Sequence, residues 1–295
     1  MNARSLTLPG FFAAVLLMMV TGCGGGTAPA GGKTDAGAKT DGAAGGDDVL
    51  AAVKKAGVIK WGADSSGGAP YVFGDPKNAE KTIGFEVEIM DKVAEHMGVK
   101  HERVQADWAA LLENMKAKRT DIVMNGIEIN EDRLKSYNFS DPYFIYEQQL
   151  TVRAEDKDTF KNLEDLKGKK VGILDGTESG NVLKRAGFKE DQIVIHPDSK
   201  TPYDNLKLKR IDAVMAEWMI ADYYAGQDKA LFNNPKTFAP GKYGIAVRKE
   251  KESDALLAEI NKVIKQMKEN GELAAIYKKW KIWNDQQKEL GVTEK

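Results

Sequence analysis

A short helix–strand unit occurs twice in this chain, and it limits the possible folds more than any other feature. Residues 114–125 read NMKAKRTDIVMN and residues 205–216 read NLKLKRIDAVMA, so seven of twelve positions are identical at an offset of 91 residues. A unit used twice about one small domain apart predicts two lobes of like construction. The alternative is a chance similarity between two ordinary helix–strand junctions.

Apolar strands alternate with amphipathic helices around each copy of this unit. The first series has predicted strands at 58–63, 100–105 and 121–125, and predicted helices at 85–97 and 108–118. The second series has predicted strands at 170–174, 192–196 and 212–216, and predicted helices at 180–186 and 202–209. This alternation favours an α/β fold with a largely parallel sheet.

The N-terminal residues have the pattern of an export signal. The apolar run 11–20 has about ten residues and is too short for a bilayer span, which needs about 20, so it indicates the core of a secretory signal. It ends in Val20-Thr21-Gly22-Cys23, which resembles the bacterial lipobox that precedes a diacylated cysteine. We therefore predict a lipoprotein signal peptide at 1–22 and a lipid on Cys23. An ordinary signal peptide with an incidental cysteine is the alternative.

The segment after Cys23 supports a membrane anchor. Residues 24–48 include nine glycines and no large apolar side chain, so they cannot bury enough surface to offset the entropy of ordering. We predict a disordered tether at 23–48 that joins the lipid to the folded part. The protein is then expected in the periplasm or on the extracytoplasmic face, and it contacts the membrane through its lipid only.

Composition excludes several classes of function. The 43 basic and 44 acidic side chains leave a formal charge of -1, which argues against nucleic acid because phosphate binding needs a clustered basic excess. One cysteine and three scattered histidines leave little material for a disulfide framework or a metal site. No P-loop or Gly-x-Ser-x-Gly elbow occurs. We expect no cofactor and no metal.

Polar and aromatic residues follow the predicted strands at their carboxyl ends, where open α/β sheets form their ligand crevice. The candidate ligand-binding residues are Asp64, Tyr71, Trp108, Asn125, Gly126, Glu128 and Arg133 in the first series, and Gly176, Thr177, Glu178 and Glu217 in the second. Each also has an ordinary structural interpretation: Trp108 as a core aromatic, for example, or Arg133 as a solvated cation. A cation in the first turn of a helix opposes the helix dipole, which slightly favours a functional role for Arg133.

Eight motifs that contain or flank these residues occur in the order seen in one protein family. They are GFEVE (84–88), DW (107–108), DIVMNGIEINEDR (121–133), FSDPY (139–143), LEDLKGKKVG (163–172), GT (176–177), YGIAVR (243–248) and GELAAIYKKW (271–280). The chain resembles the family 3 extracellular solute-binding proteins, the polar amino acid receptors of ATP-driven importers. The resemblance covers roughly residues 49–283.

The resemblance implies a two-lobed, type II periplasmic-binding-protein fold with a ligand cleft between the lobes. Two hinge strands would join the lobes, the outgoing one at Gln149–Arg153 and the returning one at Tyr243–Arg248. The implied division is 49–150 plus 245–285 for lobe 1, 151–244 for lobe 2, and 286–295 for a C-terminal tail.

The resemblance also implies roles for individual residues. An arginine at the Arg133 position binds the ligand α-carboxylate, with help from the preceding loop and from Thr177. An acid at the Glu217 position binds the α-ammonium. The aromatic at the Trp108 position stacks on the ligand side chain, and the acid at the Asp64 position can contact its far end. These roles are chemically suitable, because a forked guanidinium pairs well with a carboxylate and a carboxylate pairs well with an ammonium group.

The chain departs from the family pattern in its acids. Glu128 stands where the family has a serine or threonine, Glu178 replaces a second hydroxyl, and Tyr71 is the candidate substitute for a missing aromatic. Together with Asp64 and Glu217, the acids Glu128 and Glu178 make four candidate carboxylates, whereas Arg133 is the one candidate cation. This count predicts a cationic or polar ligand (arginine, lysine, ornithine or a relative) over glutamate or aspartate. Glu128 and Glu178 could instead pair with Arg133 or face bulk water.

The sequence thus predicts a monomeric substrate-binding lipoprotein of an ABC importer. It would capture a small polar amino acid by hinge closure and deliver it to a permease that works with a separate ATPase. The alternative is an enzyme on the same fold, similar to the cyclohexadienyl dehydratases, in which a cleft acid such as Glu217 or Glu128 acts as general acid.

Overall fold

A computed structural model describes residues 48–66 and 68–294, so the predicted signal peptide, most of the predicted tether and Cys23 lie outside the described residues. The helices are α1 (Val49–Ala56), α2 (Phe85–Met97), α3 (Leu111–Lys116), α4 (Glu131–Ser136), α5 (Glu178–Arg185), α6 (Thr201–Lys207), α7 (Trp218–Ala225), α8 (Asp254–Glu269) and α9 (Glu272–Lys279). The strands are β1 (Val58–Ala63), β2 (Phe73–Asp75), β3 (Asn78–Ile83), β4 (Lys100–Gln105), β5 (Ile122–Val123), β6 (Tyr137–Phe139), β7 (Phe144–Arg153), β8 (Val171–Leu174), β9 (Ile193–His196), β10 (Ala213–Glu217), β11 (Leu231–Asn233), β12 (Phe238–Tyr243) and β13 (Ala246–Arg248).

Two sheets of the same construction form the framework. In the first sheet the order is β4-β1-β5-β13-β6, with β4, β1 and β5 parallel and β13 antiparallel to β5. In the second the order β9-β8-β10-β7 repeats this scheme, and β11 and β12 add to β7. In both sheets the first strand of the series lies between the second and the third. The mixed α/β class and the doubled construction are confirmed.

The repeated sequence forms the same turn in both places. Lys118 and Lys209 occupy equivalent positions and both have a left-handed backbone, with φ of 60° and 58°. The next residue then closes the turn onto the helix: Arg119 N donates to Asn114 O and Arg210 N to Asn205 O, each at 3.0 Å. Three of the seven identical positions, those of Asn114, Lys118 and Arg119 in the first copy, therefore build this turn.

The aspartate that the two copies share attaches the turn to the neighbouring strand. Asp121 N donates to Lys60 O, and Lys60 N donates to the Asp121 carboxylate, both at 2.8 Å. Asp212 and Lys170 make the same reciprocal pair at 2.8 and 2.9 Å. Each aspartate thus fixes the register of a parallel strand pair, which explains why it is common to both copies.

Most predicted elements are present, with differences at their ends. Strands β1 and β4 and helix α2 have the predicted bounds, and Gly98 ends α2 with a φ of 68°. The predicted helix at 108–118 is divided into a 3-10 turn at Trp108–Ala110 and α3. The division arises where Trp108 is held by contacts to distant residues, described below.

The prediction that the outgoing crossing between the sheets lies at Gln149–Arg153 is wrong. Residues 149–153 pair with β10 inside the second sheet, so the chain passes between the sheets earlier, over residues 140–147. Here β7 pairs with β12, with Tyr146 stacked on Tyr243 at 4.4 Å between ring centroids. The two crossing segments pair with each other although they are more than 90 residues apart. The local sequence therefore did not show where the outgoing segment leaves the first sheet. The lobe boundaries at 150 and 245 stay a prediction.

The segment predicted as a C-terminal tail packs against the outgoing crossing. Its 3-10 helix, Asp285–Leu290, places the fully buried Gln287 beside Ile145. Ile145 N donates to Gln287 Oε1 and Gln287 Nε2 donates to Ile145 O, both at 2.9 Å. One side chain therefore satisfies the main-chain groups of β7 that lack a strand neighbour on this side.

Helices α2, α8 and α9 cover the first sheet and bury a continuous apolar core. A second core lies between α5 and strands β7, β8 and β10. No helix of the described ranges is both long and apolar enough to cross a membrane.

Candidate functional site

A small cavity lies between the two sheets, at the carboxyl ends of their parallel strands. The space open to the centre of a water molecule is about 40 Å³, which suits about three waters. Its lining combines aliphatic and aromatic side chains with hydroxyl and amide groups and one carboxyl group, that of Glu217. Residues in or just after strands of both sheets contribute to the lining, so the cavity is a cleft between them.

Six of the predicted residues line the cavity and five do not. The lining residues are Tyr71, Trp108, Asn125, Gly126, Thr177 and Glu217. The predicted residues that lie outside it are Asp64, Glu128, Arg133, Gly176 and Glu178. The carboxyl-end rule thus located the cleft, while contacts from elsewhere in the chain decide which side chains reach the cavity.

Asp64 orients the cavity wall. Its carboxylate is buried and accepts hydrogen bonds from Ser66 N at 2.8 Å, Gln105 Nε2 at 2.8 Å and Trp108 N at 3.1 Å. Both oxygens are occupied by the protein. Asp64 therefore holds Trp108 in place in this structure, and the role at the far end of a ligand stays a prediction.

Trp108 forms one wall of the cavity. Its indole Nε1 donates to Asn125 O at 2.8 Å, and the Asn125 side chain accepts from Asp64 N at 2.8 Å. The guanidinium of Arg133 lies 5.2 Å from the centroid of the indole ring. These contacts fix the ring, so one face can serve as a stacking surface at little entropic cost.

Tyr71 and Gly126 also line the cavity and lie against each other. The Tyr71 hydroxyl is 2.8 Å from the Tyr243 hydroxyl. Gly126 has a φ of 61°, and a Cβ there would lie 3.0 Å from the Tyr71 ring, so both backbone conformation and space require glycine. The Gly126 N–H donates to the buried Glu86 at 2.7 Å.

Glu128 and Arg133 form a buried ion pair. The Glu128 side chain is 1% exposed, and Arg133 Nη1 donates to Glu128 Oε2 and, at 2.9 Å, to Glu128 O. Arg133 Nη2 donates to Gly176 O at 3.0 Å. Helix α4 directs the guanidinium here because Asn130, the N-cap of this helix, accepts from Arg133 N at 2.9 Å.

The second oxygen of Glu128 reaches the second lobe. Glu128 Oε1 accepts from Glu178 N, the first residue of α5, at 3.0 Å. The Glu128 carboxylate therefore bridges a guanidinium on one side of the cleft and a helix N-terminus on the other. Of the two predictions for Glu128, pairing with Arg133 is confirmed and exposure to bulk water is wrong.

The side chains of Glu178 and Thr177 form hydrogen bonds with other protein groups. The Glu178 carboxylate accepts from Asn130 Nδ2 at 3.0 Å and from Arg185 Nη2 at 2.8 Å. The Thr177 hydroxyl donates to Leu174 O at 2.9 Å. Glu178 is thus neutralised by Arg185 rather than directed at the cavity.

Glu217 is the one predicted acid that lines the cavity. It ends β10, is 8% exposed and lines the cavity. Burial, and then the neighbouring charge of Glu128, raise the pKa of the Glu217 carboxyl well above its usual range. A cation placed in the cavity would reverse that shift by supplying the missing positive charge.

Sequence reasoning missed several residues of the cavity. Ser179, Ser199, Tyr203 and Tyr243 also line it. Ser199 follows the end of β9, so the rule that found the other rim residues would have found it. Tyr243 was assigned only to a hinge, and Tyr203, on α6, had no local signal.

Comparison with known proteins agrees with this geometry. The sequence is 33% identical over 236 residues to the L-cystine-binding protein TcyJ of Escherichia coli K12, covering 79% of this chain and 86% of TcyJ. An ancestral arginine-binding protein bound to arginine superposes with a TM-score of 0.69 at 33% identity, covering 76% and 98% of the two chains.

A third relative has an enzymatic descendant. The ancestral amino acid-binding protein AncCDT-1, a precursor of cyclohexadienyl dehydratase, superposes with a TM-score of 0.70 at 29% identity over 79% of this chain and 99% of that one. These likenesses confirm the two-lobed, type II periplasmic-binding-protein fold. Residues 59–282 match the family model, and the chain therefore belongs to the bacterial extracellular solute-binding proteins, family 3.

Proposed function

We propose that this protein captures a polar amino acid, or a close relative of one, by closing its two lobes, and delivers it to the permease of an ABC importer with a separate ATPase. The observation that carries this proposal is the position of the cavity between two sheets joined by paired crossing segments. Relatives that bind cystine and arginine support the ligand class. We also propose that the protein acts as a monomer.

A ligand screen tests this function. Each amino acid and its amine derivative is added to the purified protein, and the melting temperature is measured. A ligand at 100 times its dissociation constant stabilises by about 2.7 kcal/mol, which corresponds to a rise of about 5–10 °C for a domain of this size. We expect at least one basic member to give this rise and glutamate to give none. A flat screen would contradict the receptor function.

The second candidate is an enzyme. Glu217 is a buried acid whose pKa is raised, as a general acid needs, and AncCDT-1 is a precursor of a dehydratase. Against it, the relatives are named as binding proteins. We expect no turnover when the protein is incubated with prephenate or arogenate, and product formation would favour the enzyme.

We further propose that a lipid on Cys23 holds the protein at the extracytoplasmic side of a membrane. The lipobox-like sequence and the glycine-rich segment after it support this proposal. Replacing the cysteine (Cys23→Ser) should move the protein from the membrane fraction to the soluble fraction, with an unchanged circular dichroism spectrum. If the variant remains in the membrane fraction, the anchor lies elsewhere.

A further inference from the structure

The charges around the cavity leave one acid without a counter-charge. Among the residues that line the cavity there is no lysine, arginine or histidine, and Glu217 supplies the carboxyl group. In the described part of the chain, Glu217 forms no ion pair with a basic side chain, and its neighbour is a second carboxylate, that of Glu128. The cavity therefore has the electrostatics of a site for a cation.

The donors that a ligand carboxylate would need are already occupied. Arg133 and the main-chain N–H of Glu178 are the cationic and helix-terminal donors at the cleft, and they come from opposite sides of it. Both donate to one carboxylate, that of Glu128, with one oxygen bonded to each. Two donors that converge on a carboxylate from different lobes are the arrangement expected for gripping an anionic ligand group.

Displacing Glu128 from these donors is unfavourable. Its side chain is 1% exposed, so a ligand carboxylate that took Arg133 would leave a second buried carboxylate unpaired beside Glu217. The exchange replaces one ion pair by another and adds an uncompensated charge. A ligand without a carboxylate avoids this exchange.

The remaining surface suits an organic cation. Tyr71, Trp108, Tyr203 and Tyr243 line the same cavity as Glu217, and the faces of aromatic rings attract ammonium and guanidinium groups. Asp64 does not compete for such a group, because both its oxygens accept hydrogen bonds from the protein.

We propose that Glu128 takes the place of the ligand carboxylate, and that the ligand is a primary amine or guanidine with no carboxylate at the Arg133 end. Its cationic group binds at Glu217 between the aromatic rings. This inference rests on the receptor function proposed above and narrows its ligand class.

Matched ligand pairs test the proposal. The pairs are arginine and agmatine, ornithine and putrescine, and lysine and cadaverine, which differ by the α-carboxylate alone. Titration calorimetry on the full-length wild-type protein is expected to show at least about tenfold tighter binding of one or more amines than of the matched amino acid. That ratio corresponds to about 1.4 kcal/mol.

Substitution of Glu128 should reverse this preference. Glu128→Thr frees both donors, so the amino acid of the same pair should become the tighter ligand by about tenfold or more. Glu128→Gln keeps the size of the side chain, removes its charge, and serves if the threonine variant folds poorly. Glu131→Gln removes an exposed carboxylate three residues further along the chain, at the start of helix α4, and should retain the wild-type preference.

The remaining outcomes overturn the proposal in distinguishable ways. Wild-type protein that binds an amino acid as tightly as its amine overturns the inference and leaves the receptor function intact. Binding of amino acids by Glu128→Thr, with no ligand for the wild type, overturns the proposed ligand class. If no member of any pair binds either protein, both the inference and the receptor function for basic solutes fail.

Discussion

Replacing Arg133 with alanine is expected to lower the free energy of unfolding by about 3 kcal/mol. The substitution leaves the Glu128 carboxylate buried without its cation, because the remaining donor is the Glu178 N–H. Removing one partner of a buried pair is far more destabilising than replacing both, since the orphaned charge stays in a low-dielectric site. Urea unfolding at pH 7 measures this difference.

Two variants make the result specific. The Arg185 side chain, which pairs with Glu178, is 64% exposed, so Arg185→Ala should cost no more than about 1 kcal/mol. The double variant Arg133→Ala/Glu128→Gln should recover much of the loss, because the side chain at position 128 then carries no charge that needs a partner. If Arg133→Ala behaves like Arg185→Ala, the buried pair does not form in solution.

Replacing Glu86 with glutamine is expected to stabilise the protein at alkaline pH. Glu86 lies on α2 and is fully buried; Gly126 N and the Tyr143 hydroxyl donate to Oε1, and Oε2 has no hydrogen-bond partner in the described structure. Burial raises the pKa of Glu86 to about 7, from an ordinary value of 4.5. The folded protein therefore holds this proton more tightly than the unfolded chain does.

The sign of the pH dependence follows. As the pH rises from about 4.5 to about 7, the unfolded chain releases the proton first, so the free energy of unfolding falls. The shift corresponds to about 3 kcal/mol, and Glu86→Gln should remove this part of the fall. At pH 8 the variant should thus exceed the wild type by up to about 3 kcal/mol.

Denaturant unfolding between pH 5 and pH 8 checks this prediction. Glu95→Gln, on the exposed side of the same helix and paired with Lys92, is the matched control and should change stability by no more than about 1 kcal/mol. Parallel pH profiles for wild type and Glu86→Gln would show that Glu86 ionises in the folded protein as it does in the unfolded chain.

Local patterns were sufficient for the elements whose determinants lie within them. Helix α2 has buried residues at 85, 89, 93 and 97 and a glycine at its end, so its periodicity and its stop are both visible in the sequence. The repeated helix–strand unit was equally visible, because the hydrogen bond that closes its turn joins residues five apart.

Features that depend on contacts between distant segments could not be predicted from local patterns. The outgoing crossing was placed too late because its strand partner, β12, begins more than 90 residues downstream. The segment after residue 285 reads as a polar tail, yet Gln287 is buried by its bonds to Ile145, 142 residues away.

The sequence by itself determined the α/β class, the doubled construction, the family resemblance and the edge of the sheets where the cleft lies. These depend on periodicity, on strand ends and on motifs that are continuous in the chain. Only the tertiary structure decided which acids are free. Within residues 48–66 and 68–294, Glu128 pairs with Arg133 and accepts from an N–H 50 residues away, Glu178 pairs with Arg185, and Glu217 forms no ion pair. A charge count over the sequence weighs all acids equally, but burial and pairing set the electrostatics of a site, and both arise when distant segments pack together.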